Sequence, residues 1–211
     1  MTQLRTIACE QERPRGQPAP AEAAEADERI VFYEGDRIYL RPIEPTDEQK
    51  LRKWINDPEI WQYLTHRPPI NTVREREFIE GVGRNLADYC FGLVVRTGDR
   101  LIGSAGLHQI QPVNRSAVLG IMIGDKQYHG KGFGTEAVRL VVRYGFEELN
   151  LNRIALHVFA HNFRAIGCYQ KAGFIHEGCQ RQALYRGGRY VDEYVFAILR
   201  KDWESGRGRR E

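Results

Sequence analysis

The chain has 211 residues, of which 42% are hydrophobic and 28% are charged, and this is the composition of a globular domain with a substantial core. Its net charge is only +3 and no basic stripe is interleaved with aromatic residues, so nucleic acid is not an expected partner. No apolar run approaches the roughly 20 residues that span a bilayer and no signal-peptide core is present, which predicts a cytoplasmic protein without a membrane partner. The four cysteines are scattered and lack zinc-site spacing, so no metal site is expected.

Large apolar residues are sparse in residues 1–29, which are rich in Ala, Glu, Pro and Gln. This composition predicts a disordered or loosely ordered N-terminal extension. One ordered domain is expected over residues 30–204, followed by a short basic tail at residues 205–211.

The first half of the domain predicts one strand and three helices. Residues 37–41 read as a strand that the following proline stops. Thr46 and Asp47 can cap a helix that residues 56–58 interrupt, a second short helix follows, and Asn71 can cap a third.

The periodicity then changes to that of strands. Residues 91–96 and 101–108 flank a turn at 97–100, which is typical of a hairpin. Residues 117–123 are apolar on both faces and predict a central strand, and residues 135–149 predict an amphipathic helix.

The last third of the domain alternates between strands and one helix. Residues 153–159 predict a strand, a short helix runs from Asn162 to Gly173, and a further strand begins near 174 and pairs through a glycine turn with residues 189–199. The whole order predicts one α/β domain with a mixed sheet of about seven strands and helices on both faces.

A glycine-rich turn, with Gln127, Gly130, Gly132 and Gly134, follows the central strand and opens a helix. The first N–H groups of a helix have no internal partner, and glycines let the backbone approach an anion, so the turn predicts a phosphate cradle. The spacing is neither that of a nucleotide P-loop nor that of the dinucleotide fingerprint. The turn taken alone is also compatible with a plain strand-to-helix connection.

Two sequence blocks resemble a known family. Gln127-x-x-Gly130-x-Gly132 resembles the Gln/Arg-x-x-Gly-x-Gly/Ala signature of the GNAT superfamily of N-acetyltransferases, and residues 162–174 are similar to its Asn-x-x-Ala-x-x-x-Tyr-x-x-x-Gly-Phe element. The likeness covers roughly residues 36–203, and the subgroup it resembles most is that of the ribosomal-protein and spermidine N-acetyltransferases. It implies a splayed, mostly antiparallel sheet.

The resemblance also implies acetyl-CoA as acyl donor and coenzyme A as product, held where strands 117–123 and 153–159 part like a V. The residues expected to contact it are Ile121, Ile123, Gln127, His129, Gly130, Lys131, Gly132, Phe133, Gly134, Thr135, Asn162 and Ala165.

Tyr169 matches the position of the family's general acid, and a neutral phenol can donate a proton to a departing thiolate. The alternative interpretation is an aromatic core residue on a helical stripe. The amine would attack the thioester directly in a ternary complex. His108 and His157 are candidate general bases, and a water chain to a backbone carbonyl is the alternative.

For the acceptor, the resemblance indicates that the helices with Trp54, Trp61 and Tyr63 roof the pocket and that Asp192 or Glu193 can pair with the ammonium group. The alternatives are core aromatic residues and solvated or cross-strand carboxylates. A protein N-terminal amine, a polyamine and another small amine all stay open, as does a homodimer. The acidic residues that a polyamine would require resemble an exposed helix face; they are Asp57, Glu59, Glu75, Glu77 and Glu80. A coenzyme A-binding module without turnover and a nucleotide-binding domain are the competing hypotheses.

Overall fold

The structure is a computed structural model that describes residues 30–85 and 87–207. The expected extension at residues 1–29 and the last four residues of the expected basic tail lie outside the described residues. Within the described ranges the chain forms one sheet of eight strands, flanked by six α-helices.

The strands are β1 (Tyr33–Glu34), β2 (Ile38–Pro42), β3 (Tyr89–Val95), β4 (Arg100–Gln111), β5 (Ser116–Ile123), β6 (Arg153–Phe159), β7 (Ile175–Arg186) and β8 (Arg189–Leu199). The helices are α1 (Glu48–Ile55), α2 (Pro58–Trp61), α3 (Thr72–Arg84), α4 (Phe133–Glu147), α5 (Phe163–Ala172) and α6 (Arg200–Arg207).

The sheet has the order β1-β2-β3-β4-β5-β6-β8-β7. All neighbouring strands are antiparallel except β5 and β6, which are parallel. The mixed, mostly antiparallel α/β fold is therefore confirmed. The additional strand relative to the expected seven is β1, whose two residues pair with β2.

Local signals set several boundaries as expected. The side chain of Asn71 accepts a hydrogen bond from the Arg74 N–H at 3.0 Å and caps α3. Gly173 ends α5 in the left-handed conformation, with a φ of 99°. Helix α4 begins at Phe133, two residues before the expected start, because Gly132 takes the left-handed N-cap position.

The two faces of the sheet carry different layers. The main core lies between the sheet and helices α4 and α5, and Leu107, Val141 and Phe146 are fully enclosed in it. On the opposite face Trp54 of α1 packs against a smaller cluster of Tyr39, Val94 and Leu101. Helices thus cover both faces, and the face that carries α4 holds most of the buried apolar surface.

Helix α6 continues directly from β8 and was not expected. Trp203 packs against Phe146 with ring centroids 5.2 Å apart, and Arg200 donates a hydrogen bond to the Leu151 carbonyl at 3.0 Å. The helix reaches Arg207, so residues 205–207 of the expected basic tail are helical. No helix in the described part of the chain is long and apolar enough to cross a membrane.

Candidate active site

A gap opens in the middle of the sheet between β5 and β6. The two strands pair only from Ser116 to Val118, and β5 then continues to Ile123 without a partner on that side. On its other side, the Gly124 N–H donates to the Ile102 carbonyl at 2.8 Å. Because backbone groups alternate along an antiparallel ladder, Ile121 and Ile123 direct theirs into the gap, where an extended ligand could pair with them.

The glycine-rich turn lies at the end of β5, where this gap is open. Gly130 and Gly132 have φ values of 70° and 85°, and Gly132 is the N-cap of the 15-residue helix α4. A Cβ atom at Gly130 would meet no atom within 4 Å, so space is open beside the backbone there. The unpaired first-turn amides and the positive end of the helix dipole fit an anion such as a pyrophosphate.

Arg37, the residue directly before β2, is bonded to both the turn and α4. Its backbone N–H and its Nε donate to the two carboxylate oxygens of Glu136 at 2.7 and 2.9 Å, and its Nη1 donates to the Lys131 carbonyl at 3.0 Å. Its guanidinium carbon lies 4.4 Å from the centroid of the Phe133 ring. Nothing in the sequence signals these bonds, because Arg37 and Glu136 lie 99 positions apart.

The His129 ring connects the turn to β5 and to α5. Its Nε2 lies 2.7 Å from the Ile123 carbonyl oxygen, and its Nδ1 lies 2.9 Å from Nη1 of Arg164. A carbonyl only accepts and a guanidinium only donates, so the ring is neutral and its proton is on Nε2. His129 was expected to contact the cofactor, whereas its link to Arg164 was not visible in the sequence.

Two further turn residues have partners within the protein. The Gln127 N–H donates to the carboxylate of Asp125 at 3.1 Å, which fixes the short turn before the glycines. The Thr135 hydroxyl donates to Sγ of Cys168 at 3.5 Å and so joins the first turn of α4 to α5. A Cβ at Gly134 would lie 3.5 Å from the same sulfur, which is an ordinary van der Waals distance, so this contact does not itself require glycine.

Helix α5 carries the second sequence block. The side-chain oxygen of Asn162 accepts from the Ala165 N–H at 3.2 Å, so this residue caps the helix in the structure. Tyr169 is 7% exposed and lies 6.0 Å from Phe174, ring centroid to centroid. Burial, with a smaller contribution from Cys168, raises the pKa of Tyr169, which keeps its phenol protonated and able to donate.

The two candidate bases differ in their surroundings. Nδ1 of His157 lies 3.0 Å from a carboxylate oxygen of Glu193, which is 8% exposed, and the bond leaves Nε2 of the ring uncommitted. His157 lies on β6 two positions beyond Ala155, the last residue that pairs with β5. Side chains alternate between the two faces along a strand, and Leu156 and Val158 are buried on the face that carries α4. His157 therefore lies on the opposite face.

The His108 ring packs against two glycines instead. Its ring is 3.3 Å from the positions that Cβ atoms would take at Gly106 and Gly120. Its Nδ1 lies 3.4 Å from Asp88, which is longer than a well-formed hydrogen bond.

The three expected acceptor residues lie in different places. Trp54 packs directly on Gly124, where a Cβ would lie 2.1 Å from its indole ring, so its surface is used in packing. The Tyr63 ring lies 5.7 Å from that of His161, close to the end of β6. Asp192 accepts a hydrogen bond from the Gln182 N–H at 2.8 Å. Their contact with an acceptor stays a prediction.

Comparison with known proteins gives concordant results. Residues 37–175 match the model of the acetyltransferase (GNAT) domain. The chain is 34% identical over 187 residues to YjcK of Bacillus subtilis (strain 168), which is named as an N-acetyltransferase, covering 82% of this chain and 99% of that one. It is 30% identical over 166 residues to the spermidine N(1)-acetyltransferase of Escherichia coli (strain K12), covering 79% and 88%.

Among solved structures, the chain is similar to the spermidine N-acetyltransferase of Vibrio cholerae in complex with CoA and spermine. The TM-score is 0.75 at 28% identity, and the match covers 80% of this chain and 98% of that one. Together with the splayed strands and the glycine-rich turn, these matches establish that the chain belongs to the GNAT family of acetyltransferases, which take their acetyl group from acetyl-CoA.

Proposed function

We propose that this protein transfers an acetyl group from acetyl-CoA to a primary amine by direct attack in a ternary complex. The observation that carries the proposal is the gap between β5 and β6, whose open end meets the glycine-rich N-terminus of α4. The backbone edge at Ile121 and Ile123 suits an extended pantetheine arm, and the first amides of α4 suit its pyrophosphate.

Tyr169 is the proposed general acid. As the amine nitrogen bonds to the acetyl carbon, the carbon–sulfur bond breaks and the phenol donates its proton to the departing sulfur. The raised pKa of Tyr169 supports this role, because the hydroxyl keeps its proton at neutral pH.

His157 is the proposed general base. A carboxylate only accepts, so the ring donates its Nδ1 proton to Glu193 and presents the lone pair of Nε2 to the amine. The buried carboxylate also stabilises the imidazolium that forms. His108 has no such partner at hydrogen-bond distance, which favours His157 of the two.

The proposal is tested by thiol release from acetyl-CoA in the presence of peptides with free amino termini, of polyamines and of other small amines. We expect amine-dependent release, with rates that depend on both substrates as in a sequential mechanism. A protein that binds acetyl-CoA, yet releases no thiol with any amine, would be a binding module. Parallel double-reciprocal lines would exclude the ternary complex in favour of a covalent intermediate.

A further inference from the structure

A small pocket lies beside the gap on the face of the sheet opposite α4. It is about 280 Å³ in volume and is lined by Trp61, Arg67, Pro68, Tyr185, Arg186 and Gly187. The guanidinium carbon of Arg186 lies 5.7 Å from the ring centroids of both Trp61 and Phe159. Because Phe159 is the last residue of β6, the pocket adjoins one arm of the gap and is within reach of an acceptor bound there.

Two guanidinium groups give this pocket its charge. Arg186 donates hydrogen bonds to the carbonyls of Leu64 and His66, which hold it in place between the aromatic rings. Arg67 is exposed and makes no hydrogen bond or ion pair with any residue that the structure describes. Its charge is therefore available to a ligand.

The positive character extends beyond the pocket. The pKa of His66 is lowered by burial and by the nearby charges of Arg74, His108 and Arg186. The pKa of Arg186 is lowered by burial and by Arg67. These groups repel one another, and an anion placed among them would relieve that repulsion.

Three carboxylates of this region already have partners. Asp57 and Glu59 pair with Lys126 at 2.8 and 3.0 Å, and Glu193 pairs with His157. Of the acidic residues expected on an exposed helix face, Glu59, Glu77 and Glu80 are exposed, whereas Glu75 is only 4% exposed and corrects the expectation at that position. Among the described residues that line the pocket, only Arg67 and Arg186 are charged, and both would repel a polyamine.

We propose that the acceptor is a peptide amino terminus that carries carboxylate side chains next to its amine, with Arg67 and Arg186 as the residues that select it. This inference rests on the proposed acetyl transfer and names its substrate class. The aromatic walls of Trp61 and Tyr185 enclose one side chain, and the guanidinium groups bind its carboxylate. A second cavity of about 650 Å³ is lined by Arg181, Gln182 and Asp192 on β7 and β8.

The test compares two peptides with the same free amino-terminal residue and a dye at the carboxyl terminus. One carries Asp and Glu at the next positions and the other carries Lys. Binding to the protein saturated with coenzyme A is measured by fluorescence anisotropy, with spermine as a competitor. We expect the acidic peptide to bind at least about tenfold more tightly, and increasing salt to reduce the difference.

Arg67→Glu is the decisive variant, because Arg67 has no partner in the described structure whose loss would disturb folding. We expect it to reverse the preference between the peptides. Lys201→Glu is the matched control: it makes the same charge change on the exposed surface of α6, beyond the far end of β8. It should leave the preference unchanged.

Any of four results would overturn the inference. The two peptides could bind equally, or the basic one more tightly. Spermine could displace the bound peptide at a lower concentration than the acidic peptide does, or Arg67→Glu could have no effect. Thiol release is measured in parallel. Acidic-selective binding without release would refute the proposed acetyl transfer and leave the binding preference standing. Thiol release at equal kcat/KM with both peptides would support the proposed acetyl transfer and refute the preference for acidic peptides.

Discussion

On the cofactor side of the gap, the residues that form the turn and the helix N-terminus are almost consecutive in the chain, from Asp125 to Glu136. On the acceptor side, neighbouring residues come from α2, the loop after it, β6 and the β7–β8 turn, and Arg186 contacts Leu64 across 122 positions. The proposed cofactor side consists mainly of backbone groups, whereas side chains line the proposed acceptor side. A backbone cradle tolerates many sequences, so the acceptor side is where relatives can differ in substrate.

The largest expected effect follows from removing the phenol of Tyr169, the proposed general acid. Tyr169→Phe should lower kcat roughly 1000-fold, within the range that general acids contribute, and change the KM for acetyl-CoA little. Tyr144→Phe is the control, since Tyr144 is also a buried phenol, 5% exposed, but packs against Phe91 away from the gap. An unchanged kcat for Tyr169→Phe, or equal losses in both variants, would return Tyr169 to a packing role.

The sequence predicted the bounds of those elements whose ends are set by neighbouring residues in the chain. The bounds of β6 and β8 agree with the expected 153–159 and 189–199, because their turns and apolar runs are contiguous. Asn162 and Gly173 likewise delimit α5 through their own side chain and φ angle. The residues of the proposed cofactor cradle could be predicted in this way once two motifs were recognised together.

Long-range contacts could not be predicted in the same manner. The bonds of Arg37 to Glu136 and the contact of His129 with Arg164 depend on how distant elements pack. The role of Trp54 also depends on packing, since Gly124 leaves room for its ring. The spacing of these residues along the chain does not indicate their contacts, so the proposed acceptor pocket could be described only from the structure.

The second prediction concerns the base on the acceptor face. His157→Gln should lower kcat/KM for the amine roughly 100-fold, at the low end for a general base because water can take over part of the proton transfer. Affinity for acetyl-CoA should not change. His108→Gln is the matched control, and a loss as large as that of His157→Gln would exchange their roles. No loss in either variant would favour a water chain.

The third prediction separates backbone strain from anion binding. Gly130→Ala and Gly188→Ala each place a side chain at a left-handed φ, 70° and 80°, where a Cβ would meet no protein atom within 4 Å. Each should lose about 1–2 kcal/mol of stability. Only Gly130 borders the proposed pyrophosphate site, so only Gly130→Ala should weaken acetyl-CoA binding, by roughly tenfold. Isothermal titration measures the binding, and equal affinities in the two variants would remove Gly130 from the cradle.

The smallest expected effects are in the pH dependence of stability, and they have opposite signs on the two sides. Burial raises the pKa of Tyr169 on the cofactor side. Above its ordinary value of about 10 the unfolded chain releases this proton first, so the free energy of unfolding falls as pH rises. On the acceptor side the pKa of His66 is lowered. Below its ordinary value of about 6.5 the unfolded chain binds the proton first, so stability falls as pH falls.

Urea unfolding of the protein and of two variants tests this assignment. Tyr169→Phe should reduce only the alkaline loss; it does not abolish it, because burial also raises the pKa of Cys90 and of Tyr144 to about 12. His66→Gln should reduce only the loss between about pH 5 and 7. If His66→Gln left the acid side unchanged, the repulsion among Arg74, His108 and Arg186 would not reach His66. The electrostatic argument for an anionic acceptor would then depend on Arg67 and Arg186 alone.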